Sequence, residues 1–170
     1  MISGPAGAGK SRACLEKLHG VALANPGMRG LIVRKTAASL TSSALVTWKR
    51  DVIPEAVEAK GVWFYGGSAE EPPQYRYENG SVVSIGGMDK ASKIMSTEYD
   101  IAYVQEATEL TEDDWQALTS RMRNGVVSFQ QILADLATGL HLARPDVLGP
   151  RSVVRCAHVN PCNETIPRLW

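Results

Sequence analysis

An α/β fold with a mainly parallel central sheet is predicted by three features of the sequence. A glycine-rich stretch, Gly4-Pro5-Ala6-Gly7-Ala8-Gly9-Lys10-Ser11, runs directly into a helix-period pattern. Two short apolar runs, Gly30 to Arg34 (GLIVR) and Tyr99 to Val104 (YDIAYV), have the length and continuity of strands buried on both faces. Helical segments lie between and after them, and buried strands alternating with helices belong to layered α/β domains. At 170 residues the chain is long enough for one well-buried domain and short for two.

Each element has its own local signal. Arg12 to Ala24 spaces Ala13, Leu15, Leu18, Val21 and Ala22 at helical intervals, and Asn25-Pro26-Gly27 stops the run. Leu40 to Ala59 carries Leu45, Val46, Trp48, Val52, Ile53, Ala56 and Val57 and is expected to be helical, with Pro54 as a kink or a new start. Gln74 to Glu78 and Ser81 to Ile85 flank Asn79-Gly80, which predicts a tight β-hairpin because both turn residues tolerate positive φ. Thr111 is the expected cap of a further helix, with Asp114 in the capping-box position ahead of Trp115, Leu118 and Met122. Val126 to Ala134 suggests one more strand. After Asp135 the patterning weakens, and only Ser152-Val153-Val154 resembles a strand.

Composition excludes several classes. Eighteen basic and eighteen acidic residues balance, which argues against binding nucleic acid through the overall field, although local basic patches are compatible with it. No run approaches the roughly 18 apolar residues of a membrane span, and the amino terminus lacks the apolar core of a secretory signal. Cys14, Cys156 and Cys162 are odd in number and uneven in spacing, so a reducing intracellular setting is expected rather than a disulfide framework. Cys156, His158 and Cys162 offer three zinc ligands without a clear fourth, a weak pattern.

The glycine stretch fits G-x-x-x-x-G-K-[ST] at every fixed position. Gly4, Pro5, Ala6, Gly7, Ala8, Gly9, Lys10 and Ser11 are therefore expected to bind nucleotide. Glycines let the backbone curl so that successive amides point at phosphate oxygens, and the following helix adds the positive end of its dipole. Lys10 would neutralise the β- and γ-phosphates of ATP, and the Ser11 hydroxyl would ligate Mg²⁺. Hydrolysis needs a carboxylate to activate water, and Glu106, just after the second apolar run, is the candidate. Gln105 beside it stands where an acid would strengthen Mg²⁺ binding, and its neutral amide is a weaker oxygen ligand. Asp100 lies roughly 16 Å back along an extended strand and does not substitute for it.

These residues resemble the ATPase domain of the large terminase subunit of tailed bacteriophages. The resemblance rests on GPAGAGKS, GLIVRKTAASLTSSA, KIMSTEYDIAYVQEATELTEDDWQALTSRMRNG and VVSFQQILAD, together most of residues 1–135. It implies a three-layer P-loop NTPase with a mainly parallel central sheet and an inserted β-hairpin. It also implies a motor that hydrolyses ATP with Mg²⁺ to drive double-stranded DNA into procapsids in the host cytoplasm. Such a motor works at the portal, beside a small terminase subunit, as a homo-oligomer. Glu106 matches the catalytic glutamate, and Gln105 occupies a position usually held by an acid. Arg34 and Lys35 match a basic pair expected to contact nucleotide or DNA, and Arg121 or Arg123 is a candidate charge-stabilising arginine.

Departures from the family pattern set further expectations. Only Met1, Ile2 and Ser3 precede the loop, which suggests a first strand cut short. After Asp135 the chain reads LATGLHLARPDVLG where the family carries a Cys-Asn-Pro segment, so residues 136–170 are expected to be an atypical tail. Asn160-Pro161 is then either that motif displaced or unrelated sequence, for instance from an altered reading frame. No nuclease-like acidic cluster follows, and DNA cleavage is not expected. Two alternatives compete with the motor: a non-catalytic nucleotide-binding fragment, suggested by Gln105, and a P-loop small-molecule kinase.

Overall fold

The computed structural model describes residues 2–4 and 7–137. Pro5, Ala6 and the sequence features after Ala137, including Ser152–Val154, Asn160-Pro161 and the Cys156/His158/Cys162 group, lie outside the described residues.

Seven strands form one sheet: β1 (Ile2–Gly4), β2 (Arg29–Arg34), β3 (Val62–Tyr65), β4 (Gln74–Tyr77), β5 (Val82–Gly87), β6 (Ile101–Val104) and β7 (Gln131–Ala137). Their order is β1-β7-β6-β2-β5-β4-β3. The first five strands in that order run parallel, while β4 and β3 continue the sheet antiparallel. Buried apolar runs read as parallel strands for this reason: both faces are covered.

Alternation along the strands divides the interior in two. Ile32, Ile101, Tyr103 and Leu133 face one core with Leu15, Leu18 and Ala22 of α1 (Lys10–Ala24) and the fully buried Trp48. Leu31, Val33, Ala102, Val104, Ile132 and Ala134 face the other, with Ile94 of α5 (Ala91–Met95) and Leu118 of α6 (Glu112–Ser120). Helices therefore cover both faces, giving the three-layer α/β sandwich expected from the sequence.

The single long helix expected over Leu40 to Ala59 is instead four pieces: α2 (Ala37–Thr41), α3 (Ala44–Thr47), a π-helical turn (Trp48–Val52) and α4 (Pro54–Glu58). A serine explains the first break. The Ser42 hydroxyl donates to the Ser39 carbonyl at 3.2 Å, satisfying locally a group that a continuing helix would use. Pro54 opens α4 at its first turn, where a missing N–H costs nothing.

The predicted hairpin forms between β4 and β5, with a longer turn than two residues. Tyr77 and Ser81 face each other through a 2.9 Å backbone hydrogen bond, leaving Glu78-Asn79-Gly80 as the loop. Gly80 alone of these has positive φ, at 83°. Asn79 serves differently, donating its side-chain amide to the Ala22 carbonyl at 2.8 Å and tying the hairpin to the end of α1. The strand expected over Val126 to Ala134 begins later, at Gln131, because Val126 and Val127 spend their amides on the Asp100 carboxylate at 3.0 and 3.2 Å. No described helix is long and apolar enough to cross a membrane.

Candidate functional site

The parallel strands point their carboxyl ends to one edge, where ligands of open α/β sheets bind. The loop after β1 and the Gln105-Glu106 pair after β6 both lie there, separated by β7. Gly7, Ala8 and Gly9 are exposed. Gly7 and Gly9 have φ of 79° and 74°, and a Cβ at either would meet no protein atom within 4 Å. Glycine is required here by conformation, and the space above the loop is open. Gly9 also starts α1 without a side-chain cap, so the first amides of the helix are available to an anion.

Glu106 is one of two non-glycine residues of positive φ among the described residues, at φ 50° and ψ 60°. A glutamate held in the left-handed region is strained by an amount on the order of 1 kcal/mol, and such residues cluster at functional sites. Two hydrogen bonds hold it: its amide donates to Asp135 Oδ1 at 3.0 Å and its carbonyl accepts from the Glu109 amide at 2.9 Å.

Asp135 is the residue that sequence reasoning missed. It lies near the end of β7, 2 % exposed, on the same side as Tyr103 and α1. Its Oδ2 accepts from the Ser11 hydroxyl and, at 2.8 Å, from the Tyr103 hydroxyl. Burial, and then the charge of Asp135, push the Tyr103 phenol far above its ordinary range, so it stays protonated as a donor. The sequence signal was an acid following apolar Ile132-Leu133-Ala134, visible only once the strand is extended past Ala134.

Gln105 is 6 % exposed, and its Oε1 accepts from the Ser43 hydroxyl at 2.6 Å. Ser43 also accepts from Arg34 Nη1 at 3.2 Å, and Arg34 forms a two-pronged pair with Glu109, 2.9 Å from Nε and 2.7 Å from Nη2. That pair raises the Arg34 pKa and holds the Glu109 carboxyl below its usual range. Lys35 Nζ lies 2.6 Å from Asp114 Oδ2. Burial opposes ionisation of Asp114, but hydrogen bonds from Lys35 and Thr111 hold its pKa below normal. The expected capping box is present, so Asp114 serves the start of α6 as well. Arg34 and Lys35 thus brace the segment after β6 against the end of β2.

Arg121 lies at the opposite edge of the sheet from Glu106. Its carbonyl accepts from the Tyr99 amide at 2.8 Å, before β6 begins, whereas Glu106 follows the end of that strand. The separation from Glu106 along the chain direction is about 20 Å. Arg123 pairs with Glu98 on the same far edge.

The oxygen set suits Mg²⁺, a hard cation that takes one or two carboxylates together with phosphate oxygens and water. Ser11 and Asp135 supply a hydroxyl and a carboxylate already in contact. Among the described residues no group of three or more His, Cys, Asp or Glu is arranged for a metal.

Residues 1–134 match the family model described as phage terminase large subunit. The chain belongs to the phage terminase large subunit family. No curated protein matches it. The fold is similar to the large terminase of a thermophilic bacteriophage, with TM-score 0.61 at 14 % identity, covering 79 % of this chain and 32 % of that one. It is also similar to the large terminase ATPase domain of Thermus phage P74-26, with TM-score 0.60 at 16 % identity, covering 82 % and 60 % of the two chains. The thermophilic bacteriophage's large terminase in complex with ATP-gamma-S gives TM-score 0.55 at 14 % identity, covering 79 % and 31 %. The chain thus spans about a third of that phage's terminase chains.

Proposed function

We propose that this chain is an ATP-binding and ATP-hydrolysing motor domain of a phage terminase large subunit, which powers packaging of double-stranded DNA into procapsids. The observation that carries the reading is the meeting of the glycine loop and the strained Glu106 at one sheet edge, bridged by Asp135. Membership of the family and the ATP-gamma-S complex of the thermophilic bacteriophage's large terminase support it.

The chemistry follows from what each residue can do. Loop amides and the amino end of α1 cradle the phosphate chain, and Lys10 adds a positive charge at the β- and γ-phosphates. Glu106, fixed through its amide and carbonyl, positions and deprotonates the attacking water. Mg²⁺, when bound, neutralises charge developing between the β- and γ-phosphates. Ser11 and Asp135 are the groups that would hold it, with Gln105 as a weaker oxygen. Arg34 and Lys35 reach nucleotide or DNA only by leaving Glu109 and Asp114. In the whole protein the partners are double-stranded DNA, the portal, the small subunit and further copies of this chain, at the procapsid in the host cytoplasm.

A second reading, nucleotide binding without turnover, is favoured by the neutral Gln105. Affinity for a fluorescent ATP analogue and phosphate release with and without double-stranded DNA separate the two. Lys10→Ala is expected to weaken nucleotide binding by about 10- to 100-fold, the loss of one charge-assisted contact. Unchanged affinity in that variant removes the basis of both readings. Binding with no phosphate release under any condition leaves the second, and ADP formation that requires a small-molecule acceptor, with the phosphoryl group carried onto that acceptor and no free phosphate released, points to a kinase instead.

A further inference from the structure

The strand-end position beside Glu106 holds an amide, so a metal carboxylate must come from elsewhere or be absent. We propose that Asp135, on the neighbouring strand β7, is the carboxylate that holds the nucleotide-bound divalent cation together with Ser11. This rests on the reading of Gly4 to Ser11 as a phosphate-binding loop.

Geometry supports the assignment at both residues. Asp135 already touches the Ser11 hydroxyl, the group whose place in the loop fits it to ligate the cation. An ionised carboxylate offers about four lone-pair sites. Three are used here, by Ser11, Tyr103 and the Glu106 amide. When Ser11 turns its oxygen to a cation, its hydrogen bond to Asp135 is released and a carboxylate lone pair becomes free at the same point. Tyr103 and the Glu106 amide continue to hold the carboxylate in place. Gln105 is the poorer candidate on the same grounds, because its Oε1 is engaged 2.6 Å from Ser43. Position agrees: β7 lies between β1 and β6, so an acid near its end faces both the loop and the catalytic strand.

The link also connects the cation to the catalytic residue. One carboxylate reaches Ser11 through Oδ2 and the Glu106 backbone through Oδ1, so a shift at the metal is passed to the glutamate that positions water.

The test uses Mn²⁺ as the cation probe and ATP-gamma-S as the nucleotide, with the chain complete. Mn²⁺ binding in the presence of nucleotide is followed by its electron paramagnetic resonance signal, and nucleotide affinity is measured separately in EDTA. Asp135→Asn is expected to keep metal-free nucleotide affinity and to weaken Mn²⁺ about tenfold or more, whereas Gln105→Ala changes Mn²⁺ affinity less than about threefold. Full Mn²⁺ affinity in Asp135→Asn overturns the proposal. A loss in Gln105→Ala as large as that expected for Asp135→Asn overturns it too, and Asp135→Glu, which keeps a carboxylate, is expected to retain more Mn²⁺ affinity than Asp135→Ala; equal Mn²⁺ affinity in those two variants overturns the proposal where Asp135→Asn fails to fold. Absence of nucleotide binding by the wild-type chain in EDTA and with Mn²⁺ sinks the underlying phosphate-loop reading, and this inference with it.

Discussion

Asp100 and Asp135 stand at opposite ends of the β6–β7 pair, and they are equally hidden, 0 % and 2 % exposed. Their partners differ in kind. Asp100 accepts from three backbone amides, those of Arg29, Val126 and Val127, and from the Asn124 side chain at 2.7 Å. Asp135 accepts from one backbone amide and two hydroxyls. An amide in a folded chain cannot turn to another acceptor, but a hydroxyl can. The first aspartate is thus a clamp on chain path, pinning the start of β2 and the approach to β7. The second is a carboxylate whose partners can be exchanged, as a ligand site requires. Burial alone does not separate structural from functional acids; the mobility of their donors does.

The largest expected consequence is in stability. Asp100→Ala removes the acceptor of three backbone amides, of which that of Val127 is buried and those of Arg29 and Val126 are part-buried, for a total of about 4 kcal/mol. Asp135→Ala strands one amide and lets two hydroxyls rotate, for about 2 kcal/mol. Urea unfolding of both variants measures the difference. Equal losses would break the distinction between clamp and site.

A smaller effect sharpens it. Tyr103→Phe removes one donor to Asp135 and is expected to cost about 1 kcal/mol. In double-mutant cycles that cost should couple to Asp135→Asn by about 1 kcal/mol and to Asp100→Asn by nothing above the usual scatter of independent sites. Coupling to Asp100 as strong as to Asp135 would show the strand pair responding as one body, and the comparison would lose its meaning.

Neither acid's set of partners was legible in the sequence. Local chemistry was legible: Gly7 and Gly9 take the positive φ that the loop pattern demands, and Thr111 and Asp114 form the box their spacing predicts. The buried runs gave β2 and β6, because strands covered on both faces write their burial directly into composition. What failed depended on partners distant in sequence. Asp100 was correctly set aside as a metal ligand by its distance, but its capture of the Val126 and Val127 amides, which delays β7, leaves no periodic trace. Starting that strand too early ended it before Asp135. The edge strand β3 was also missed, since Trp63 and Phe64 are exposed and its apolar residues follow no burial pattern.

Cys14 offers the finest probe of the difference. Burial first, and then the nearby charge of Asp135, push its thiol up to about 11. Asp135→Asn removes the charge and leaves the burial, so the thiol pKa should fall while staying above that of an ordinary cysteine. Asp100→Asn should not move it. In a Cys156→Ser, Cys162→Ser background, alkylation of Cys14 at fixed alkaline pH is expected to speed up by about twofold in the first variant only. Looser packing around a substituted aspartate would also speed alkylation, but it would raise the rate by the same factor at every pH. A lost charge instead moves the midpoint of the pH profile to lower pH, so the profile separates the two causes. An unmoved midpoint in Asp135→Asn would mean that its charge is not felt at α1, the helix that carries Ser11.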